Sequence, residues 1–419
     1  MIARSVGSCL ATAIQSAPRS SAIFVHKHLP LTESKFILQF GPNSPIDVCT
    51  NRWNYSRIAG LIVLFDFATT LAALRKVRCE RSPEVGLDRL RLGVVGGGAV
   101  LERYHAPAIN AVPEVVRSIV VDVDRDTARR VADRYGFPAA SSNLADLVRH
   151  ADLAIVLVPN GLHSSISCEL LAQGVHVLCE KPMARTVEEC QAMIDASHQG
   201  NAQLCIGHNR RFQQHIKLAK QLLTKGLIGD VVSIHAEEGS TSDWRRSSAY
   251  FDPAMSGGGA LMDVGIHSID LIRWFSGNFQ TIEYQGNGTE TTVESDARIA
   301  LQLVTGATGS VTASRTRNLA QKITLVGTEG FLEVGLWGPN LGLRSSKGKA
   351  FQHFHRLDVA VPRRPPSDVS FVDQLRNLVS AIRGEGEVLV NGHEGMAAVE
   401  VVRRAYTGVR ALASPGTVK

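Results

Sequence analysis

Leu90-Arg91-Leu92-Gly93-Val94-Val95 runs straight into Gly96-Gly97-Gly98, and a segment from Ala99 to Asn110 follows. A short apolar strand, a glycine turn and a helix start, in that order, bring backbone N–H groups to a point where a pyrophosphate can be held. The strict Gly-x-Gly-x-x-Gly spacing is not met, because Leu101 stands in the third position. Taken alone, such a turn serves purely conformational ends in many chains. The segments that follow decide how it is read.

A second strand, Ile119 to Val123, leads into Asp124-Arg125-Asp126. An acid at the end of this strand falls where a dinucleotide fold holds its ribose, and Asp124 is the first choice for it, with Asp122 second. Asp126 is expected to cap the next helix, in which Ala128, Val131, Ala132 and Tyr135 recur at helical spacing before Gly136. An acid in the ribose position repels a 2′-phosphate and favours NAD(H), although the neighbouring Arg125 leaves NADP(H) open. Leu153 to Val158 is apolar throughout, as a strand covered on both faces would be, and Pro159-Asn160 ends it. A helix over about Ser164 to Gln173, a stop at Gly174 and a further strand, Val175 to Cys179, come next. Thr186 with Glu189 reads as a capping box that opens another helix, closed by Gly200. Strands alternating with helices at this rhythm predict an α/β, Rossmann-type doubly wound parallel sheet.

The strand at Cys179 ends in Glu180-Lys181-Pro182. A lysine there is costly to desolvate unless a partner or ligand holds it, and the proline restricts the backbone beside it. An isolated lysine of this kind is ordinarily a solvated loop residue. Here both Pro159-Asn160 and Lys181 fall at C-terminal strand ends, the edge of an open parallel sheet where ligands bind.

The second half reads differently. Gly257-Gly258-Gly259 precedes a helix over Ala260 to Phe275, in which Asp263, His267 and Asp270 share one polar stripe. A stripe of this kind is commonly just solvated, but the glycines permit close approach of backbone or substrate. Strands follow at about Thr281–Tyr284, Ala297–Val304, Gly309–Ala313 and Lys322–Val326, with a hairpin turn at Gly327 to Gly330. They predict a C-terminal α+β domain with a large, mostly antiparallel open sheet and helices on one face. Residues 337–366 read as a long loop, and two helices, Ser370 to Arg383 and Glu394 to Leu412, close the fold.

The 419-residue chain has ordinary globular composition and a formal charge of +6. Residues 1–88 stand apart as an extension of uncertain order. The first 90 residues carry 11 Lys/Arg against 6 Asp/Glu, so the remainder is near neutral and offers no basic face for nucleic acid. The run Gly60 to Leu74 is too short to span a bilayer and contains Asp66. The acid-poor start is compatible with a transit-like segment, or with a true start downstream near Val77 or Val85. Seven cysteines without a Cys-x-x-Cys pair point to reduced thiols, a cytoplasmic setting and no metal site. The domain reading is therefore 1–88 extension, 89–208 dinucleotide-binding, 209–412 substrate-binding and oligomerisation, and 413–419 tail.

These pieces in this order resemble the Gfo/Idh/MocA family of NAD(P)-dependent oxidoreductases over about Leu90 to Leu412. The matching motifs are residues 93–98, Asp124-Arg125-Asp126, Pro159-Asn160-Gly161-Leu162-His163, Glu180-Lys181-Pro182, Asn209-Arg210-Arg211-Phe212 and the run from Gly257 to His267. The resemblance implies that Lys181 is a catalytic lysine, completed by Asp263 and His267 from the second domain. It implies that Gly96, Gly97, Gly98, Asp124 and Arg125 hold the cofactor. Pro159, Asn160, His163 and Glu180 would line its nicotinamide side. Arg211 matches a family arginine and is a candidate for substrate contact. The resemblance further implies hydride transfer to or from a secondary alcohol of a sugar, inositol or other polyol, in a homo-oligomer. A glycosidase with tightly held NAD and a regulatory nucleotide-binding protein are the competing readings.

Overall fold

The computed structural model describes residues 23–27, 35–40, 45–49, 89–241, 249, 251–289, 292–347, 355–357 and 369–408. The rest of the extension, most of the expected 337–366 loop beyond Lys347, the last residues of the final predicted helix and the 413–419 tail lie outside them. By its contacts the chain divides at Gly86/Leu87. In the first unit β1 (Ile23–Lys27), β2 (Lys35–Phe40) and β3 (Pro45–Cys49) form an antiparallel sheet in that order.

The second unit opens with the expected parallel sheet. Its strands are β4 (Leu90–Val95), β5 (Val115–Val121), β6 (Ala139–Ser141), β7 (Leu153–Val156), β8 (His176–Cys179) and β9 (Leu204–Ile206). They lie in the order β6-β5-β4-β7-β8-β9, all parallel. The order reverses between β4 and β7, the crevice where such sheets bind ligands. Leu153, Ala154, Ile155 and Val156 are buried without exception, as two covered faces require.

The second sheet has eight strands, β10 (Val231–Gly239), β11 (Phe279–Gly286), β12 (Asp296–Leu303), β13 (Thr308–Ser314), β14 (Lys322–Gly327), β15 (Gly330–Gly335), β16 (Leu341–Ser345) and β17 (His355–Leu357). Their order is β11-β12-β13-β10-β14-β15-β16-β17, antiparallel except for the β10/β13 pair. One strand is added to the expected set and one expected loop is corrected. The central strand β10 was not read from the sequence, because its inward positions are Ile234, Ala236 and the acid Glu238, which breaks apolar alternation. The segment 337–366 is not one loop, since β16 and β17 lie within it. The helix Ile266–Ser276 covers one face of this sheet through Ile266, Ile269 and Ile272, while His235, Glu237, Arg298, Thr312 and Lys322 line the other, polar face.

The helix Val369–Ile382 returns to the first sheet rather than the second. Phe371, Leu375 and Leu378 share a core with Leu92, Val94 and Ile155, and Phe371 stacks on Tyr104 with ring centroids 5.0 Å apart. Apolar contact, not chain order, therefore decides which layer this helix belongs to. No helix among the described residues is long and apolar enough to cross a membrane.

Candidate active site

The glycine turn after β4 sits beside the end of β7 at the switch point. Gly96 takes φ = 98°, and a Cβ there would stand 2.6 Å from the Leu157 carbonyl oxygen, so only glycine fits. Gly98 has nothing within 4 Å of its would-be Cβ, which leaves the backbone open to a ligand. Leu101, in the third-glycine position, is fully buried at the start of a π turn, Leu101–His105, that feeds the short helix Ala106–Asn110. The Gly97 N–H donates to Asp122 Oδ2 at 2.7 Å, and the Asp124 N–H to Asp122 Oδ1 at 3.0 Å. Asp124 instead caps the helix Arg125–Tyr135, accepting from the Asp126 N–H and from Thr127 Oγ1. Asp126 is thus the donor to the cap and not the cap itself. The Thr127 hydrogen bond draws the Asp124 carboxyl below the usual range. Arg125 opens the helix, exposed. An open glycine backbone with an acid against it fits a dinucleotide.

Lys181 leaves the end of β8, with a cis peptide to Pro182. Its Nζ donates to Asp263 Oδ1 at 2.8 Å and to the Asp263 carbonyl at 2.9 Å, which joins the first sheet to the second half of the fold. Arg315 Nη2 donates to the other Asp263 oxygen at 3.0 Å. Burial pushes the Asp263 carboxyl up, but Lys181 and then Arg315 outweigh it and hold the group below its ordinary value. Residues Leu261–Gly265 form a π turn rather than the regular helix expected, and the helix Ile266–Ser276 continues from it. This turn carries Asp263 and ends just ahead of His267, a distortion common at functional sites. His267 is pushed well below its ordinary value, first by burial and then by the nearby Arg210, Lys181 and His208, so its imidazole is neutral at neutral pH. His208 is fully buried, neither of its nitrogens has a hydrogen-bond partner, and its ring stands edge-on to His267 at 5.9 Å between centroids.

The remaining expected residues separate into two groups. Glu180 faces the site, accepting from His105 Nε2 at 2.9 Å and from the Lys181 N–H at 3.0 Å. Burial raises its proton affinity, and the His105 hydrogen bond with Lys181 more than reverses that. Pro159 stands just ahead of the helix Asn160–Ala172, which begins four residues earlier than expected. Asn160 Nδ2 donates to the Ser256 carbonyl at 3.0 Å and ties this helix to the glycine loop of the second half. His163 lies inward, 1% exposed, with Nδ1 2.7 Å from the Pro182 carbonyl and Nε2 2.9 Å from that of Val158. Burial keeps its proton affinity low, so the neutral ring donates its single N–H to one of these carbonyls while its other nitrogen stands against the second, and His163 packs between the two loops. Arg211 lies inside the fold. It is 1% exposed and donates to Asp270 at 2.9 and 2.6 Å and to Glu394 at 2.6 Å, so these donors are engaged in ion pairs, the one to Asp270 fully buried. Asp270 belongs to that pair and not to a solvated stripe.

Three further contributors were not read from the sequence. Arg315 follows β13 with no motif to mark it, and His208 directly precedes the Asn209-Arg210-Arg211-Phe212 run. Glu294, 4% exposed, accepts from the Gly259 N–H and the Leu261 N–H at 3.0 Å each and from the Tyr406 hydroxyl at 2.7 Å. It satisfies the unpaired donors at the start of the helical segment bearing Asp263. A Cβ on Gly259 would fall 1.9 Å from the Glu294 carbonyl oxygen, which explains the glycine there.

Comparison with known proteins agrees with this fold. Residues 90–208 match the model of the oxidoreductase family with an NAD-binding Rossmann fold, and residues 216–333 match the GFO/IDH/MocA C-terminal domain. The chain belongs to the Gfo/Idh/MocA family. Among its relatives within that family is the levoglucosan dehydrogenase of Pseudarthrobacter phenanthrenivorans, 28% identical over 290 residues, which are 58% of this chain and 73% of that protein. Inositol 2-dehydrogenase of Rhizobium meliloti is 22% identical over 330 residues, covering 76% and 97%. The solved complex of levoglucosan dehydrogenase with NADH and levoglucosan superposes with a TM-score of 0.70 at 22% identity, over 76% of this chain and 98% of that one. This Gfo/Idh/MocA member is accordingly an NAD(P)-dependent oxidoreductase.

Proposed function

We propose that the protein oxidises a secondary alcohol of a sugar, inositol or related polyol, or runs the reverse reduction, with Lys181, Asp263 and His267 as its catalytic residues. The observation that carries this reading is the Lys181–Asp263 pair at 2.8 Å beside a neutral, half-buried His267. A neutral imidazole can accept the hydroxyl proton as the alcohol is oxidised. The Lys181 ammonium stabilises alkoxide character on the same oxygen, and Asp263 aims that ammonium while compensating its charge. A nicotinamide cofactor supplies the hydride acceptor. The Gly96-Gly97-Gly98 turn lets its pyrophosphate approach closely at Gly98, the Gly96 and Gly97 N–H groups being taken by Val121 and Asp122; Asp122 and Asp124 face its ribose, and Glu180, Pro159 and Asn160 form the wall nearest Lys181. The two acids favour NAD(H) over NADP(H) by repelling a 2′-phosphate.

The polar face of the second sheet is the surface through which we expect copies of the chain to pair. The free thiols of Cys168, Cys179, Cys190 and Cys205 suit a reducing compartment such as the cytoplasm. Following NADH absorbance with NAD+ and a panel of hexoses, inositols, anhydrosugars and acyclic alditols tests the activity. Turnover of at least one cyclic member is the expected result; NADH binding without turnover of any member would overturn it.

A further inference from the structure

Trp337 is the one large aromatic among the strongly exposed apolar side chains of the described residues, at 68% exposure. It is not a loosely hung side chain. Leu336 beside it is buried at 1%, and the backbone is pinned by Gly335 N–H to Asn340 O at 2.7 Å and by Leu336 N–H to Gln321 O at 2.8 Å. The indole lies over the Arg210 guanidinium, 5.3 Å from the ring centroid. Arg210 in turn is held in a buried two-pronged pair by Glu238, one arm of which measures 2.7 Å. The Ser268 hydroxyl donates to the same Glu238 at 3.2 Å, and Ser268 is the neighbour of His267.

Gly239 pairs with Ser314 at the end of β10, and Gln321 contacts both the Gly239 carbonyl and the Leu336 N–H. Trp337 therefore emerges at the same end of the second sheet as Arg315, which holds Asp263. Its contact with Arg210 puts it on the side that faces the catalytic helix.

From this placement we infer that Trp337 is a substrate-binding residue at the rim of the active site, stacking on the apolar C–H face of a cyclic sugar or polyol. The inference rests on the proposed function. A cation fixed on one face of the indole leaves the other face, rich in electrons, turned outward. A ring-form polyol presents a flat patch of C–H groups to such a surface, whereas its hydroxyls go to polar partners. An acyclic alditol has no rigid face of this kind. Trp337 would then select ring-form substrates while Lys181 and His267 act on the alcohol.

The test compares Trp337→Ala and Trp337→Phe with the wild type on cyclic substrates and acyclic alditols, alongside NADH affinity and sedimentation. An aromatic stack is worth roughly tenfold in binding, so KM for cyclic substrates should rise about tenfold in Trp337→Ala. Turnover at saturation, NADH affinity, subunit number and KM for alditols should stay unchanged, and Trp337→Phe should recover most of the loss. Unchanged KM for cyclic substrates in Trp337→Ala would overturn the inference alone. A KM change that comes with altered subunit number would also overturn it, by making Trp337 an interface residue. A wild type that turns over nothing in the panel removes the oxidoreductase reading, and this inference with it.

Discussion

At the scale of single residues the site is organised around keeping one charge and one neutral base side by side. Lys181 is compensated by Asp263, while His267 is surrounded by burial, Arg210, Lys181 and His208, all of which oppose its protonation; Asp263, Glu180, Glu238 and Asp270 are the acids nearby. A free histidine titrates near 6.5. Because His267 is held well below that, the acid limb of kcat/KM for alcohol oxidation should lie well below about pH 6.5. A pH profile with its acid limb at or above that value would show that His267 is not the base, or that it is charged when substrate binds. Lys181 could be singled out from the sequence because it ends an apolar strand before a proline. Arg315 and His208 could not, since their relevance arises from tertiary contact with Asp263 and His267, which no local pattern records.

At the scale of elements, the periodic parts of the chain were legible and the compensated parts were not. The strands β4, β7 and β8 followed from apolar runs, β5 only from Ile119 on because Arg117 and Ser118 interrupt its first half, and Thr186 caps its helix by accepting from the Glu189 N–H at 3.2 Å, as expected. The Glu189 carboxylate also takes the Arg185 N–H and guanidinium. Strand β10 and the helix Ile266–Ser276 each bury an acid, Glu238 and Asp270, and both acids are matched by arginines from the segment Asn209–Phe212. Buried pairs of this kind are hidden from hydrophobic patterning because the compensating charge lies far away in sequence.

The Arg211 pair carries a prediction at this scale. Arg211→Met leaves Asp270 buried and unpaired, which should cost about 3–5 kcal/mol of folding stability. Chemical denaturation measures it, and a raised KM with unchanged stability would restore Arg211 as a substrate ligand.

At the scale of the whole molecule, the two halves meet through groups whose ionisation differs between the folded and unfolded states. Glu180 and Asp263 have folded proton affinities below their unfolded values, so their contribution is present above the unfolded carboxylate range and is lost as pH falls. His163, His208 and His267 are also lowered, so the unfolded chain takes up protons before the folded one does. Both effects have the same sign. Tm should therefore decline from about pH 6.5 downward and more steeply below about pH 4. Thermal unfolding across pH 3.5 to 8 measures this, and a flat Tm between roughly pH 4 and 6.5 would mean that the buried histidines stay charged in the fold.

In the proposed reaction Lys181 is the residue that acts on the reacting oxygen. Lys181→Met keeps the length of the side chain and removes its charge, and the direct measurement is single-turnover NADH formation from a cyclic polyol, with NADH affinity measured on the same folded protein. Loss of hydride transfer by about 10²-fold or more with NADH affinity retained is the predicted result. Hydride transfer within a few-fold of wild type, by a variant that is folded and binds NADH, would contradict the account.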